Sequence, residues 1–300
     1  MKLAHFCALF AISILAACTW PGLPGGISLQ PTETPTITAT PTATPEPLAA
    51  KVNGESITLE QFGHELSRYE KAQQQLGTDL ATLGDYRHTV LNSMIEERVA
   101  AQAAIAAGKT VLDDQVASIV ESSRQARGGE TGFQAWLKDN YYTLEEFQES
   151  IRRQLLAQAA TDGVASQVPL TAEQVHARHI LVGNLVLANA LVSQVTGGAD
   201  FAGLVAKYSQ DSSTRASGGD LGWFPRGVLT VPEVEEAAFS LQPGETSPVV
   251  KSRLGYHIVQ TLERESARAL SPSALEVLRR QAVEQWLAQQ VQKASVEIFI

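Results

Sequence analysis

Six histidines and two cysteines carry much of the reactive potential of this 300-residue chain. His176 and His179 stand three apart in a segment whose pattern reads as a strand, which puts them on opposite faces. No Cys or Glu is spaced to complete a zinc set with them, so no metal site is expected. Ser217-Gly218-Gly219 is rich in glycine but lacks the Gly-Lys-Ser/Thr that would cradle a phosphate. Trp136, Trp223 and Trp286 read as core residues rather than ligand platforms. Neither a zinc site nor a phosphate loop is therefore expected in this chain.

The remaining reactive group is Cys18. Lys2 is the only charge before it, and Leu3 to Ala17 is an apolar run broken only by His5 and Ser13. A positive start followed by a short hydrophobic segment is the form of a secretory signal. At 15 residues the run is shorter than the roughly 20 that a spanning helix needs. It closes on Leu15-Ala16-Ala17-Cys18, which resembles the bacterial lipobox, where the cysteine thiol receives a diacylglycerol. Residues 1–18 are thus expected to be a lipoprotein signal, with the protein held at the outer face of a membrane; a cleaved signal with a chance cysteine is the alternative. Cys7 would leave with the signal, so the mature chain has no disulfide framework.

Residues 19–47 are a tether. From Gln30 to Pro47, seven Thr and five Pro fill 12 of 18 positions, too little apolar surface to fold. Extended at ~3 Å per residue, the stretch from Thr19 to Pro47 would reach on the order of 90 Å. Without Lys2 the chain keeps 22 basic residues against 32 acidic ones, a net charge of −10. That balance argues against nucleic acid or an anionic lipid surface as the main partner.

Residues 48–170 read as helical after a short extended start. Asn53-Gly54 marks a turn between strand-like residues. Thr58-Leu59-Glu60-Gln61 and Thr143-Leu144-Glu145-Glu146 are capping boxes that open helices. A third helix is expected from about Tyr86 to Ala107, stopped by Gly108, and two more over Val111–Arg127 and Gly132–Asn140. At the far end, Ser273 to Lys293 has helical periodicity and Ser295 to Ile300 alternates like a strand. A lone helix and strand must bury against something. The expectation is that they complete the first domain, so that residues 48–170 plus 271–300 form one discontinuous helical body.

Residues 171–268, inserted between, alternate short strands and helices. Thr171 to Gln174 reads as another capping box, His176 to Val182 as a strand, and Asp200 as the cap of a short helix. Ser217 to Phe224 is a glycine turn entering a strand, Pro232 to Phe239 a helix started on proline, and Ser247–Lys251 with Tyr256–Leu262 a closing strand pair. Short connections without a long crossover argue for an antiparallel sheet with helices packed on it, an α+β arrangement.

Four motifs in this insert, His176 to Val182, Ser209 to Ser213, Gly218 to Phe224 and Gly255 to Val259, occur in order across about 90 residues. Together they resemble the signature of parvulin-type peptidyl-prolyl isomerases. Residues 48–170 more loosely resemble the helical chaperone domain of SurA-like and PrsA-type foldases, and a signal with lipobox, such a domain and one parvulin insert is the layout of PrsA-type lipoproteins. The resemblance implies a four-stranded antiparallel sheet with surrounding helices, isomerisation of X-Pro bonds in exported, still unfolded proteins, and no cofactor. It implies that His179 and His257 are paired under the site floor beside Asp211, and that Leu221, Leu229 and Val234, with Phe224 beside them, form the proline slot. The lesser alternative is that both histidines are core residues needed for folding. The chain departs from the family where Leu229 replaces the usual methionine and Val234 the usual phenylalanine. Loss of an aromatic wall forfeits ~1–3 kcal/mol of contact. The loop Gly183-Asn184-Leu185 lacks the basic cluster of phosphate-directed members. A holdase with an idle isomerase domain, or an envelope scaffold, are the other readings.

Overall fold

The computed structural model describes residues 46–300. Cys18, the signal and the Thr/Pro tether up to Pro45 lie outside the described residues. The described part begins with β1 (Leu48–Val52), β2 (Glu55–Thr58), α1 (Leu59–Gln75), α2 (Tyr86–Ala106), α3 (Asp113–Ala126), α4 (Glu130–Asp139) and α5 (Leu144–Ala165). There follow β3 (Thr171–Val182), α6 (Leu185–Thr196), α7 (Phe201–Tyr208), β4 (Asp220–Pro225), α8 (Pro232–Ser240), β5 (Val250–Ser252) and β6 (Gly255–Ala269). The last elements are α9 (Pro272–Lys293) and β7 (Val296–Ile298). Among the described residues no helix is long and apolar enough to cross a membrane. Two compact units result: one runs to Thr161 and takes Leu287–Ile300, and the other is Asp162–Trp286. The divisions fall inside α5 and α9.

In the first unit, local signals build local structure. Asn53 and Gly54 both adopt positive φ, 49° and 89°, as a two-residue hairpin between β1 and β2 requires. Thr58 Oγ1 accepts the Gln61 N–H at 3.1 Å while Gln61 Oε1 accepts the Thr58 N–H at 3.3 Å, so both arms of the box that starts α1 are made. Thr143 and Glu146 make the same pair of bonds at the start of α5. The terminal strand β7 pairs antiparallel with β1, Ala50 opposite Ile298, in a sheet of order β2-β1-β7. Phe62, Leu91, Ile95 and Val99 of α1 and α2 pack on its apolar face, with Val296 against them.

The second unit is built on an antiparallel sheet of order β4-β3-β6-β5. Its two faces carry different cores. Ile180, Val182 and Ile258 pack against α6 and α7, while Val175, Ala177, Val259 and Phe224 pack against α8. The box expected at Thr171–Gln174 is not a helix start: these residues open β3, Thr171 opposite Ala269 and Ala172 opposite Arg268. The partner strand β6 also runs past the expected Leu262 to Ala269. A cap saves about 1 kcal/mol, and ladder pairing with a long partner strand outweighs it.

Candidate active site

Side chains alternate across a strand, so His179 lies on the face of Ala177 and His257 on that of Val259, the side covered by α8. Central β3 and β6 pair across residues 78 apart in sequence and bring the two rings together. Their Nδ1 atoms are 3.2 Å apart and the rings stack, with 6% and 0% of each residue exposed. On the loop after α7, Asp211 Oδ2 lies 2.8 Å from His179 Nε2. That loop is itself tied to β3, since the Gln210 N–H donates to Leu181 O at 2.7 Å. The structure thus brings His179, His257 and Asp211 into one hydrogen-bonded group.

Asp211 is the anchor of the group. Burial pushes its carboxyl up, but hydrogen bonds from Ser213, Thr214 and His179 outweigh burial and hold it well below the usual carboxylate range. Oδ1 accepts the Ser213 N–H at 3.0 Å and its hydroxyl at 2.6 Å, and Oδ2 accepts the Thr214 hydroxyl at 2.6 Å. An ionised carboxylate only accepts, so His179 donates from Nε2, and with a neutral ring Nδ1 is then the acceptor. His257 then donates from Nδ1, and its Nε2 accepts the Ser252 hydroxyl at 2.7 Å. Ser252 Oγ in turn accepts the Leu254 N–H at 3.0 Å. Every proton along this line has one direction, from the β5–β6 turn to the carboxylate. All four ring nitrogens are engaged in hydrogen bonds.

Burial pushes the His257 imidazole from an ordinary 6.5 down to about 4, and the adjacent His179 ring acts in the same direction. Between those values the unfolded chain binds a proton that the native chain does not, so stability rises with pH there. The contribution is complete above about pH 6.5 and is lost as pH falls toward 4. Thermal midpoints of the full chain are expected to drop on acidification through this window, and His257→Gln to flatten the slope. A variant that kept the wild-type slope would assign it to other groups.

Above the polar group opens a cavity of about 270 Å³. Leu221, Leu229 and Val234 line it together with His179, His257 and Asp211. Leu221 comes from β4, Leu229 from the loop before α8, and Val234 from the first turn of α8. Phe224 does not line the cavity. It is 2% exposed and meets Phe239 edge to face, 6.1 Å between ring centroids, in the core beneath α8. His176 sits on the other face, 2.8 Å from Asp220 and 3.3 Å from Glu263, and stacks on Trp223.

Several contributors were not singled out from the sequence. Ser213 and Thr214 follow Asp211 at the spacing of an Asx turn, a signal that was readable. Ser252 reaches His257 only through hairpin pairing, and Leu181 and Leu254 reach the cavity rim only through the register of β3 and β6. Nothing local marks these three. The site can therefore offer an apolar slot beside a dry, oriented row of dipoles ending on a negative charge.

Residues 185–263 match the PPIC-type PPIASE domain family, and residues 32–161 the SurA-like N-terminal domain family. Over 239 residues the chain is 30% identical to the foldase protein PrsA of Caldanaerobacter subterraneus subsp. tengcongensis, covering 71% of this chain and 72% of that one. It is 43% identical over 112 residues to the chaperone SurA of Bordetella avium, 34% of this chain and 22% of that one. A crystal structure of the peptidylprolyl isomerase PrsA from Bacillus anthracis is similar at 26% identity and a TM-score of 0.43, covering 68% of this chain and 94% of that one. The two family matches and the PrsA relative define a parvulin-type peptidyl-prolyl isomerase joined to a SurA-like helical domain. The chain belongs to the PrsA foldase family. It is accordingly an extracytoplasmic folding factor whose substrates are unfolded proteins.

Proposed function

We propose that Leu221, Leu229 and Val234 grip the prolyl ring of an X-Pro bond while Asp211, oriented with His179 and His257, favours the twisted amide. The bond isomerises slowly because amide resonance imposes a barrier of about 18–20 kcal/mol. At the twisted geometry the carbonyl is more ketone-like and the nitrogen more pyramidal. A site needs no nucleophile for this, only polar groups that suit the twisted amide better than the planar one. The observation that carries the reading is the juxtaposition of an apolar cavity with the ionised Asp211 and its fixed donors. Asp211 acts by its field; its four accepted bonds leave it poorly placed as a nucleophile.

In the same reading the helical body, residues 48–170 with 271–300, cradles unfolded chain and residues 171–268 isomerise it. A lipid on Cys18 holds both at the outer face of the membrane on the Thr/Pro tether, where exported chains emerge with X-Pro bonds still equilibrating. The test uses the full chain in its host envelope. Wild type is expected in the membrane fraction and to accelerate isomerisation of a short X-Pro peptide in a protease-coupled assay. Cys18→Ser is expected to turn over equally well from the soluble fraction. A wild-type rate equal to the spontaneous one would leave a holdase with an idle insert. Retention of the serine variant in the membrane would remove the lipid from the account.

A further inference from the structure

The wall of the slot that carries Leu229 is the loop between β4 and α8, and it has no strand partner. Three of its successive backbone amides converge on one side chain. Glu235 Oε1 accepts the Gly227 N–H at 2.7 Å, and Oε2 accepts the Val228 and Leu229 N–H groups at 3.1 Å each. Gly227 holds φ at +85°, the left-handed region that lets these amides turn to a common point. On the other side of the Gly227–Val228 peptide, Gln281 of α9 donates its Nε2–H to the Gly227 carbonyl at 2.7 Å.

Glu235 follows directly on Val234, whose side chain lines the cavity at another point of its wall. One carboxylate therefore ties the Leu229 wall to the helical turn that presents Val234. We infer that Glu235 is a positioning residue that sets the width of the proline slot, an inference that rests on the reading of that slot given above. Both walls here are aliphatic where an aromatic could have filled the space, so the grip on a prolyl ring depends on holding them at the right separation. Glu235 itself does not line the cavity. Its loss should weaken binding of ground state and transition state alike, which raises KM and leaves kcat in place.

The test is steady-state isomerase kinetics on the full chain with a short X-Pro peptide. Glu235→Gln keeps the shape, but its amide nitrogen donates where the loop also donates, so the three amides cannot all be held. KM is expected to rise roughly fivefold with kcat unchanged. In the same variant the Gly227, Val228 and Leu229 amides should exchange with solvent faster while the β3 and β6 amides do not. Glu236→Gln, one residue on, removes only the exposed pair with Arg226 and should keep both constants. A folded Glu235→Gln with KM within about twofold of wild type, or with the loss in kcat, overturns the inference alone. A wild type without turnover overturns the slot reading and this inference with it. If Glu235→Gln does not fold, Gln281→Ala decides: it loosens the same loop from its other side, and an unchanged KM counts against the inference.

Discussion

Replacing Asp211 by alanine is expected to lower kcat/KM toward a short X-Pro peptide by roughly 100-fold, the scale of removing one preorganised electrostatic group from a catalytic site. The carboxylate does two things at once. It supplies the one carboxylate among the residues that line the cavity, and it orients the hydrogen bonds from His179 to Ser252. Without it, His179 can donate from either nitrogen, and the row of dipoles loses its sense. The effect should fall mainly on kcat, because the apolar walls that bind the prolyl ring are untouched. Asp211→Asn separates the two contributions. It keeps a carbonyl acceptor for His179 but no charge, so a rate near that of the alanine variant assigns the effect to charge, and a rate near wild type to orientation. The same substitutions should lower stability only modestly, since Asp211 sits on a loop and its partners Ser213 and Thr214 can turn to water. An alanine variant that folds and keeps its turnover would remove Asp211 from the mechanism. The paired histidines would then be core residues with no catalytic share.

The second large effect is expected where the motif resemblance and the packing part company. Phe224→Ala should cost about 3–5 kcal/mol of stability, the range for truncating a buried aromatic side chain. Against total stabilities of about 5–15 kcal/mol, that loss is severe. Phe224 packs under α8 with Phe239, Val234 and Val259, and its removal leaves a void that Val234 and Ala238 can close only by moving the helix. A lower unfolding midpoint of the isomerase unit in urea is the measurement. Below that midpoint the peptide KM should change far less than the stability does, because the ring does not reach the cavity. A raised KM without loss of stability would return Phe224 to the slot.

Much of this protein was open to reading from sequence because the signals involved are short-range. The Asn53-Gly54 turn needs two residues of positive φ, and the boxes at Thr58 and Thr143 need partners three residues on. Such interactions need no distant partner, so residue type and spacing suffice to place them wherever no long-range pairing competes. The motifs around His179, Asp211, Leu221 and His257 announced an isomerase insert by resemblance, and the family matches agree. The same reasoning failed at Thr171–Gln174, where a good helix start is overridden because β6 offers a ladder partner nearly a hundred residues away. Cys18 and its signal remain a matter of sequence, since they lie outside the described residues.

By itself, then, the sequence determined most of the elements, though not α6, and the residue types available for chemistry. The tertiary structure alone decided which faced each other. Strand register set Ser252 against His257 and turned Phe224 inward while Leu221, three residues earlier, faces the cavity. Chain reversal before α8 brought the Glu235 carboxylate onto three amides that no local pattern connects to it. These are contacts between segments whose separation is fixed by sheet pairing and helix packing, energies that belong to the whole unit and to no window of its sequence.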